Sequence, residues 1–236
     1  MIDLFAQTGN SIILRSPEKD YRMLDAWGNV KKYIPGAGQD LTTAQTWTHT
    51  QTGSNTWVNS LTAGEDFTVV TGSTDFNGYS SQLLGESFKI ASGMPFSVTA
   101  KIKISEATQS DLLFGLAETD TTLTAASSTH AIAVTGAGLF FSKIDAVTAI
   151  TANVYAGGSA VDTATLDDVM DVAYHTYDIY SDDGVKVVFA FDGVEVARFS
   201  TGLPTAAMTL SISVRTGAAS AETLSIKELK VIQVYG

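Results

Sequence analysis

The sequence contains no cysteine and few charged side chains. Of its 236 residues, 17% are Asp, Glu, Lys or Arg. The absence of cysteine excludes disulfides and thiolate-bound zinc, so packing must supply the stability of the fold. A low charged fraction together with abundant Thr, Ser, Ala and Gly is typical of a β-rich surface that packs against other copies or a partner.

Basic residues are scarce as well. The 14 Lys and Arg against 25 Asp and Glu give a net charge of −11 at pH 7. Such a chain repels the phosphates of DNA and of anionic lipids, so we expect no nucleic-acid partner and no membrane partner.

The start, MIDLFAQTGN, lacks the basic residues and apolar run of a secretory signal, and no segment has the length of a membrane span. We expect assembly in the cytoplasm, with exit by assembly or lysis.

Two Asp-Gly turns between three alternating runs give the strongest structural signal. Residues 174–199 read YHTYDIYSDDGVKVVFAFDGVEVARF. Each run places β-branched and aromatic residues on one face with period two, and each Asp-Gly supplies the positive φ of a tight hairpin. The segment predicts an antiparallel meander.

Short alternating runs separated by turn residues continue over most of the chain. Candidate strands are 56–60, 67–71, 87–90, 96–104, 112–118, 130–134, 139–143, 149–156, 175–180, 185–191, 194–200, 208–215 and 223–234. In 223–234 the alternation shifts by one residue near Glu228, which predicts a β-bulge or a change of sheet. Only residues 166–172 fit a helical turn. Many short strands at regular spacing predict an all-β protein built as two stacked antiparallel sheets.

The first 44 residues have a different character. They mix charged residues with short apolar patches and end at the breaker Pro35-Gly36-Ala37-Gly38. We predict an extended N-terminal arm at residues 1–44 and one sandwich domain at 45–236. Local positive charge on an acidic body favours docking of the arm to an acidic protein surface, although a solvated extension or a small edge hairpin explains the same composition. The candidate docking residues are Arg15, Arg22, Lys31, Lys32 and Tyr33.

Four segments resemble the concanavalin A-like (laminin-G-like) jelly roll. They are PFSVTAKIKIS at 95–105, DLLFGLAETDTTL at 111–123, the double Asp-Gly meander, and LSIKELKVIQVYG at 224–236. More narrowly, the chain resembles versions found in tailed-bacteriophage virions, including capsid cement or decoration proteins. The resemblance implies that strand 96–104 pairs with 223–234. It also implies a place on the capsid exterior, the major capsid protein as partner, and a homotrimer, since cement proteins often sit at three-fold positions.

The sequence contains no catalytic constellation. Glycosidases on this fold carry two glutamates, with an aspartate between them, alternating on one strand. The nearest pair here, Glu222 with Glu228, has the wrong spacing. There is no G-x-S-x-G elbow, and His49, His130 and His175 fall in three distant segments. We therefore predict a non-enzymatic protein.

Clustered aspartates raise the question of a metal. Asp162, Asp167, Asp168 and Asp171 could supply the oxygen ligands that calcium prefers. Their spacing matches no known loop, however, and aspartates beside Ser or Thr also cap short helices. We predict no metal and no cofactor.

Carbohydrate binding is the alternative function, as a lectin-like module of a phage fibre or tail. A sugar platform needs an exposed aromatic ring beside amides, and Trp47, Trp57 and Asn59 give that composition. The tryptophans serve equally well as core residues, which is the interpretation we favour. Phe140 and Phe141 point to opposite faces of one predicted strand, so one of them is expected to meet another element or subunit.

Overall fold

A computed structural model of the chain describes residues 30–33, 47–58, 67–125 and 130–234. These residues form fifteen strands and no α-helix. The strands are β1 (Val30–Tyr33), β2 (Trp47–Thr52), β3 (Thr56–Val58), β4 (Phe67–Val70), β5 (Gly78–Leu83), β6 (Phe96–Ile104), β7 (Ser110–Ala117), β8 (Gly138–Lys143), β9 (Ala149–Ala156), β10 (Ser159–Val169), β11 (His175–Ser181), β12 (Val187–Phe191), β13 (Val194–Phe199), β14 (Thr209–Thr216) and β15 (Thr223–Val234).

The strands form two sheets, and every pairing is antiparallel. Sheet A has the order β13-β12-β11-β6-β15-β4-β3, with β1 also beside β15, and sheet B has the order β10-β9-β8-β7-β14-β5-β2. The two-sheet antiparallel sandwich predicted from the sequence is confirmed.

The main core lies between the sheets. Strand β6 shows why these residues form this structure: Val98, Ala100 and Ile102 face the core and are at most 2% exposed, while the intervening residues face outward. Phe141 from sheet B packs edge-on against Tyr177 and Phe189 from sheet A, with ring centroids 5.3 and 5.1 Å apart. Such aromatic pairs add to the free energy gained by burial alone.

The last strand, β15, pairs with β6 at the centre of sheet A. Val98 lies opposite Val231, and a register shift falls between Ile226 and Glu228. Both the predicted pairing and the predicted bulge are therefore confirmed. The strand β1 pairs with the other edge of β15, with Val30 opposite Val234, so sheet A extends into the segment that the sequence assigned to the arm.

The two Asp-Gly turns differ in length. Asp192 and Gly193 alone join β12 to β13, with φ of 48° and 80°, as a type I′ hairpin requires. The connection from β11 to β12 is longer, at 182–186. There a carboxylate oxygen of Asp183 accepts hydrogen bonds from the N–H groups of Val185 and Lys186, at 2.7 and 3.0 Å.

Some strand and helix predictions were wrong. The candidates 87–90 and 130–134 form only isolated bridges, and β2, β5 and β10 were missed. The helical turn predicted at 166–172 is instead the end of β10, which continues to Val169. Leu166 alone is buried among exposed neighbours there, and a register shift falls between Thr165 and Val169, so the residues do not follow simple alternation.

The two turn glycines give a matched test of the hairpins. A Cβ at Gly193 would meet nothing within 4 Å, whereas a Cβ at Gly184 would lie 1.7 Å from the backbone oxygen of Ala91. We expect Gly193→Ala to cost about 1 kcal/mol, from its positive φ alone. We expect Gly184→Ala to cost about 3 kcal/mol or more, because backbone must move. Urea unfolding measures both, and equal costs would contradict the close approach at Gly184.

Candidate functional site

The central strands of sheet B, which are β5, β7, β8 and β14, are buried on both faces. Their outer face is covered by residues 118–125 and 130–137 of the same chain, which we call the covering segment. Leu123 and Val134 of this segment pack against Leu113 and Phe140 of the sheet, in a second apolar cluster. Phe140 thus meets another element of its own chain, as the paired phenylalanines predicted, while Phe141 enters the main core.

Polar contacts complete the fit between the covering segment and the sheet. The amide of Gln82 donates to the backbone oxygen of Glu118 at 3.0 Å and accepts from the N–H of Asp120 at 2.8 Å. The hydroxyls of Thr124 and Ser213 lie 3.0 Å apart, and both residues are 1% exposed. Because these groups are satisfied inside the protein, the outer face of β5 and β14 is a filled surface.

A buried arginine fixes the covering segment to β14. Arg215 is 4% exposed and donates to the backbone oxygens of Phe76 and Thr124, at 2.6 and 2.9 Å. Its Nε also donates to the hydroxyl of Thr124 at 3.3 Å. One guanidinium therefore joins three parts of the chain, which its planar fork of donors allows.

Asp111 and His130 form a buried pair beside this arginine. Oδ2 of Asp111 lies 2.9 Å from Nδ1 of His130, and Oδ1 accepts from the N–H of Asp145 at 2.7 Å. Burial raises the pKa of the Asp111 carboxyl, and the hydrogen bonds from His130 and Asp145 offset only part of that effect. The ring of His130 also packs on Phe76, with centroids 4.8 Å apart.

A buried lysine lies on the neighbouring strand. Nζ of Lys143 donates to the backbone oxygens of Thr108 and Ser110, at 2.7 and 2.5 Å. Burial lowers the pKa of Lys143 to about 8, against the opposing attraction of Asp111 and nearby carboxylates. Through these hydrogen bonds, its ammonium group fixes the turn before β7.

The charged cluster also includes a hydroxyl, that of Ser110, which accepts a hydrogen bond from Nζ of Lys143 at 3.2 Å. Ser110 and Lys143 are both buried, at 0% and 2% exposed, so this hydroxyl is not presented to a substrate at the surface. In the part of the chain that the structure describes, the hydrogen bonds of His130 involve no serine or threonine hydroxyl. The carboxylates of Asp75 and Asp145 lie 4.0 and 3.9 Å from its Nε2. No group of three or more His, Asp or Glu side chains among the described residues has the geometry of a metal site. What the cluster can do is hold the covering segment, β7 and β14 together.

A second histidine, His175 at the start of β11, joins the segment after β10 to the turn between β12 and β13. Nδ1 of His175 lies 2.7 Å from Oδ2 of Asp192, and Nε2 lies 2.9 Å from Oδ1 of Asp171. The ring stacks on Phe191 at 4.8 Å. Partial burial of the ring opposes protonation, but the two carboxylates outweigh it, so the pKa of His175 is raised above 6.5.

The tryptophan proposed for a sugar platform lies in the core. Trp47 is 1% exposed and belongs to the main cluster between the sheets, so it packs as a core residue and presents no ring to solvent. Trp57 lies in β3, but its side chain falls outside the described residues, as does Asn59.

Of the docking residues proposed for the arm, three lie in a described strand and two do not. Lys31, Lys32 and Tyr33 lie in β1, opposite Gln233, Ile232 and Val231 of β15. Their side chains fall outside the described residues, and so do Arg15 and Arg22. The aspartates considered for calcium lie on or just after β10, where Asp171 binds His175.

Sequence reasoning missed Asp111, Lys143 and Arg215 as a group. They lie on three strands, and no motif spacing links them. The only available signal was that ionisable residues stand in otherwise apolar or small-residue strands, such as Arg215 in TLSISVRT.

No protein-family model matches the chain, and no curated protein sequence matches it. Solved structures do match. The metal-free carbohydrate recognition domain of Emp46p superposes with a TM-score of 0.56 at 15% identity, covering 84% of this chain and 95% of that one. An endo-1,3-β-glucanase from Streptomyces sioyaensis gives 0.57 at 10% identity, covering 88% and 95%. A carbohydrate esterase from the Shiga toxin-encoding bacteriophage phi24B gives 0.51 at 14%, covering 87% and 97%.

Likeness at this level of identity shows the fold alone, which is a concanavalin A-like jelly roll. The sequence resemblance to that fold is therefore confirmed, and the narrower resemblance to capsid cement proteins stays a prediction. Within the described residues, no helix has the length and hydropathy of a membrane span.

The role of Arg215 can be tested against a surface arginine. Arg215→Met leaves buried oxygens of Phe76 and Thr124 without a donor, so we expect a loss of about 3 kcal/mol in unfolding free energy and faster proteolysis within residues 118–137. Arg198→Met removes an exposed pair with Glu195 and should leave the unfolding free energy and the proteolysis almost unchanged, because solvent screens that pair. Urea unfolding and limited proteolysis measure both, and equal behaviour of the two variants would refute this assignment.

The pair of carboxylates around His175 predicts a pH-dependent stabilisation. Because the folded-state pKa is raised, the stabilisation is complete below the unfolded value of 6.5 and is lost as the pH rises through the raised pKa. We expect His175→Gln to cost about 1 kcal/mol near pH ~5.5 and less near pH ~8.5. Asp171→Asn should remove part of the same pH dependence. Urea unfolding at the two pH values measures this, and a cost that does not change with pH would contradict it.

Proposed function

We propose that this chain is a non-enzymatic structural protein of a tailed-phage virion, which binds the capsid exterior and stabilises neighbouring capsomers. The observation that carries the proposal is the filled outer face of sheet B. Because the covering segment packs on the central strands with satisfied polar groups and its own apolar cluster, the described residues leave no open groove on those strands for a substrate. We therefore assign the binding function to the exposed outer surfaces of the folded unit.

The chemistry of the described residues supports the non-enzymatic part of this proposal. Arg215, Asp111 and His130 use their polar atoms to join strands, and His175 joins two turns. A catalytic side chain, in contrast, needs a polar atom that is free to contact the reacting atom of a substrate.

The proposed mechanism is distributed binding. The partner is the major capsid protein, and the chain acts as a homotrimer at three-fold positions of the shell. Each copy contributes weak contacts, and symmetry multiplies them by avidity. The low charged fraction of the chain suits such packing, and the phage origin of one structural neighbour is in keeping with the proposed location. The residues proposed for docking by the N-terminal arm are Arg15, Arg22, Lys31, Lys32 and Tyr33.

Binding to capsid shells tests this function. The purified chain is mixed with shells assembled from the major capsid protein of the same genome, and binding is measured by co-sedimentation. We expect saturable binding and a higher temperature of shell disassembly, since bridging contacts must break first. Failure of the full chain to bind would overturn the proposed function.

Truncation tests separately whether the N-terminal arm contributes to binding. Since β1 pairs with β15, the variant should begin at residue 30 rather than 45, so that the sheet stays complete. We expect about tenfold weaker binding with unchanged far-UV circular dichroism. Binding equal to that of the full chain would exclude a role for residues 1–29 while leaving the function in place.

A lectin-like module of a fibre or tail is the second candidate. It is favoured by the structural neighbours, among which is a carbohydrate recognition domain. Glycan-array binding that disappears in Trp57→Ala would support it. Trp47 is unsuitable for that test because it lies in the core, where its removal would cost about 3–5 kcal/mol of stability.

A further inference from the structure

Four of the nine cations whose side chains the structure describes are buried or ion-paired. Lys143 and Arg215 are buried and hydrogen-bonded, while Lys230 and Arg198 each bind a glutamate nearby in sequence. Lys89 and Lys186 are exposed and stand apart in two loops. Three further lysines are neither buried nor ion-paired, and unlike Lys89 and Lys186 they lie close together.

These three lysines lie on two neighbouring strands in the middle of sheet A. Lys101 and Lys103 are in β6, at positions that alternate with the core residues Ala100 and Ile102, so they face outward. Lys103 lies opposite Ser225 of β15. Lys227 occupies the β15 bulge, since the register passes from Ile226 directly to Glu228. Lys227 follows the core residue Ile226, so it faces outward like Lys101 and Lys103.

Tyr174, just before β11, lies between two of the three lysines. Nζ of Lys103 and Nζ of Lys227 are 4.8 and 4.9 Å from the centroid of its ring. The ring attracts both ammonium groups, but it does not neutralise either. Among the described residues, no carboxylate lies within ion-pair distance of Lys101, Lys103 or Lys227.

Unpaired lysines that lie close together contrast with the acidic composition of the chain, which has 25 acidic residues against 14 basic ones. Glu228 lies opposite Lys101 in the register of β15 and β6, but its carboxylate pairs with Lys230. Neighbouring ammonium groups repel one another, so the arrangement is unfavourable in the free protein and becomes favourable when anions approach. The surface is therefore complementary to an external group of negative charges.

We propose that Lys101, Lys103, Lys227 and Tyr174, here called the lysine cluster, dock a carboxylate-rich protein surface. This inference rests on the proposed function and identifies the contact by which the chain would bind the shell. A flat sheet face with a partly exposed tyrosine suits a protein partner, because tyrosine is enriched in the cores of protein interfaces. A nucleic acid is disfavoured, because only three cations converge here on a chain of net charge −11.

Basic residues of the first segment adjoin the same sheet. The strand β1, which contains Lys31 and Lys32, pairs with β15 on the edge opposite to β6. The lysine cluster and β1 thus contact the same strand from its two sides, and a partner that spans β15 would reach both.

Two charge-matched double variants test the proposal on the full chain. Lys101→Glu/Lys103→Glu reverses the cluster, while Lys89→Glu/Lys186→Glu changes the net charge equally at exposed sites elsewhere. The probe is the shell assembled from the major capsid protein, and circular dichroism checks the folding of each variant. We expect the cluster variant to bind about tenfold or more weakly, with a smaller dependence of affinity on salt, because it lacks the charge-charge contacts. The control variant should stay within about twofold.

Carbodiimide cross-linking gives a second readout on the unmodified chain. It joins amines to carboxylates in direct contact, so we expect cross-links from Lys101, Lys103 or Lys227 to Asp or Glu of the shell. Cross-links confined to other lysines would overturn the proposal.

The outcomes separate this inference from the proposed function. If the chain binds shells but the two double variants bind alike, the lysine cluster is not the docking surface and the function stands. If the chain binds no shells, the function fails and the inference fails with it. If it binds double-stranded DNA more tightly than shells, and only the cluster variant loses that binding, the partner is a polyanion and the proposal is overturned.

Discussion

The pairing of β15 with β6 is the interaction on which the rest of the structure depends. It places the end of the chain at the centre of sheet A, with Val98 opposite Val231, and it leaves the second edge of β15 for β4 and β1. Since β6 also pairs with β11, the meander of β11, β12 and β13 is positioned by the same strand. The bulge within this pairing lets Ile226 before it and Leu229 after it both face the core, although they are three residues apart. The core and the proposed docking surface are thus fixed by one long-range contact.

Sequence patterns predicted the fold where a strand has one apolar and one polar face. Residues Phe96–Ile104 follow that rule, and so do the runs around the Asp-Gly turns, which is why the sandwich and the bulge at Glu228 could be predicted. The rule failed at β5, GYSSQL, which is almost wholly buried although its residues are polar. Ser80 and Gln82 are buried there by hydrogen bonds to Ser213 and to the covering segment, and hydrophobic alternation does not report such contacts.

The candidate sites were less predictable than the fold. Asp111, His130 and Arg215 are far apart in the chain and meet only because of sheet register and the path of the covering segment. A signal for that segment did exist in the adjacent Phe140 and Phe141, since a strand with large aromatic residues on both faces must be covered on both sides. No comparable signal located the lysine cluster, because Tyr174 comes near Lys103 and Lys227 only after three strands have paired.

The strand β10 forms the outer edge of sheet B, and its irregular pairing has a consequence for crowded assemblies. Its register shifts twice, leaving a continuous stretch of only Asp162 to Thr165. A free edge ordinarily offers its backbone as a template on which strands of other molecules can polymerise. Such a template needs a long regular strand with little charge. The two register shifts shorten the regular part of β10, and the aspartates at 162, 167 and 168 place negative charge on it. Copies held at high local density would consequently remain discrete folded units rather than fuse into fibrils.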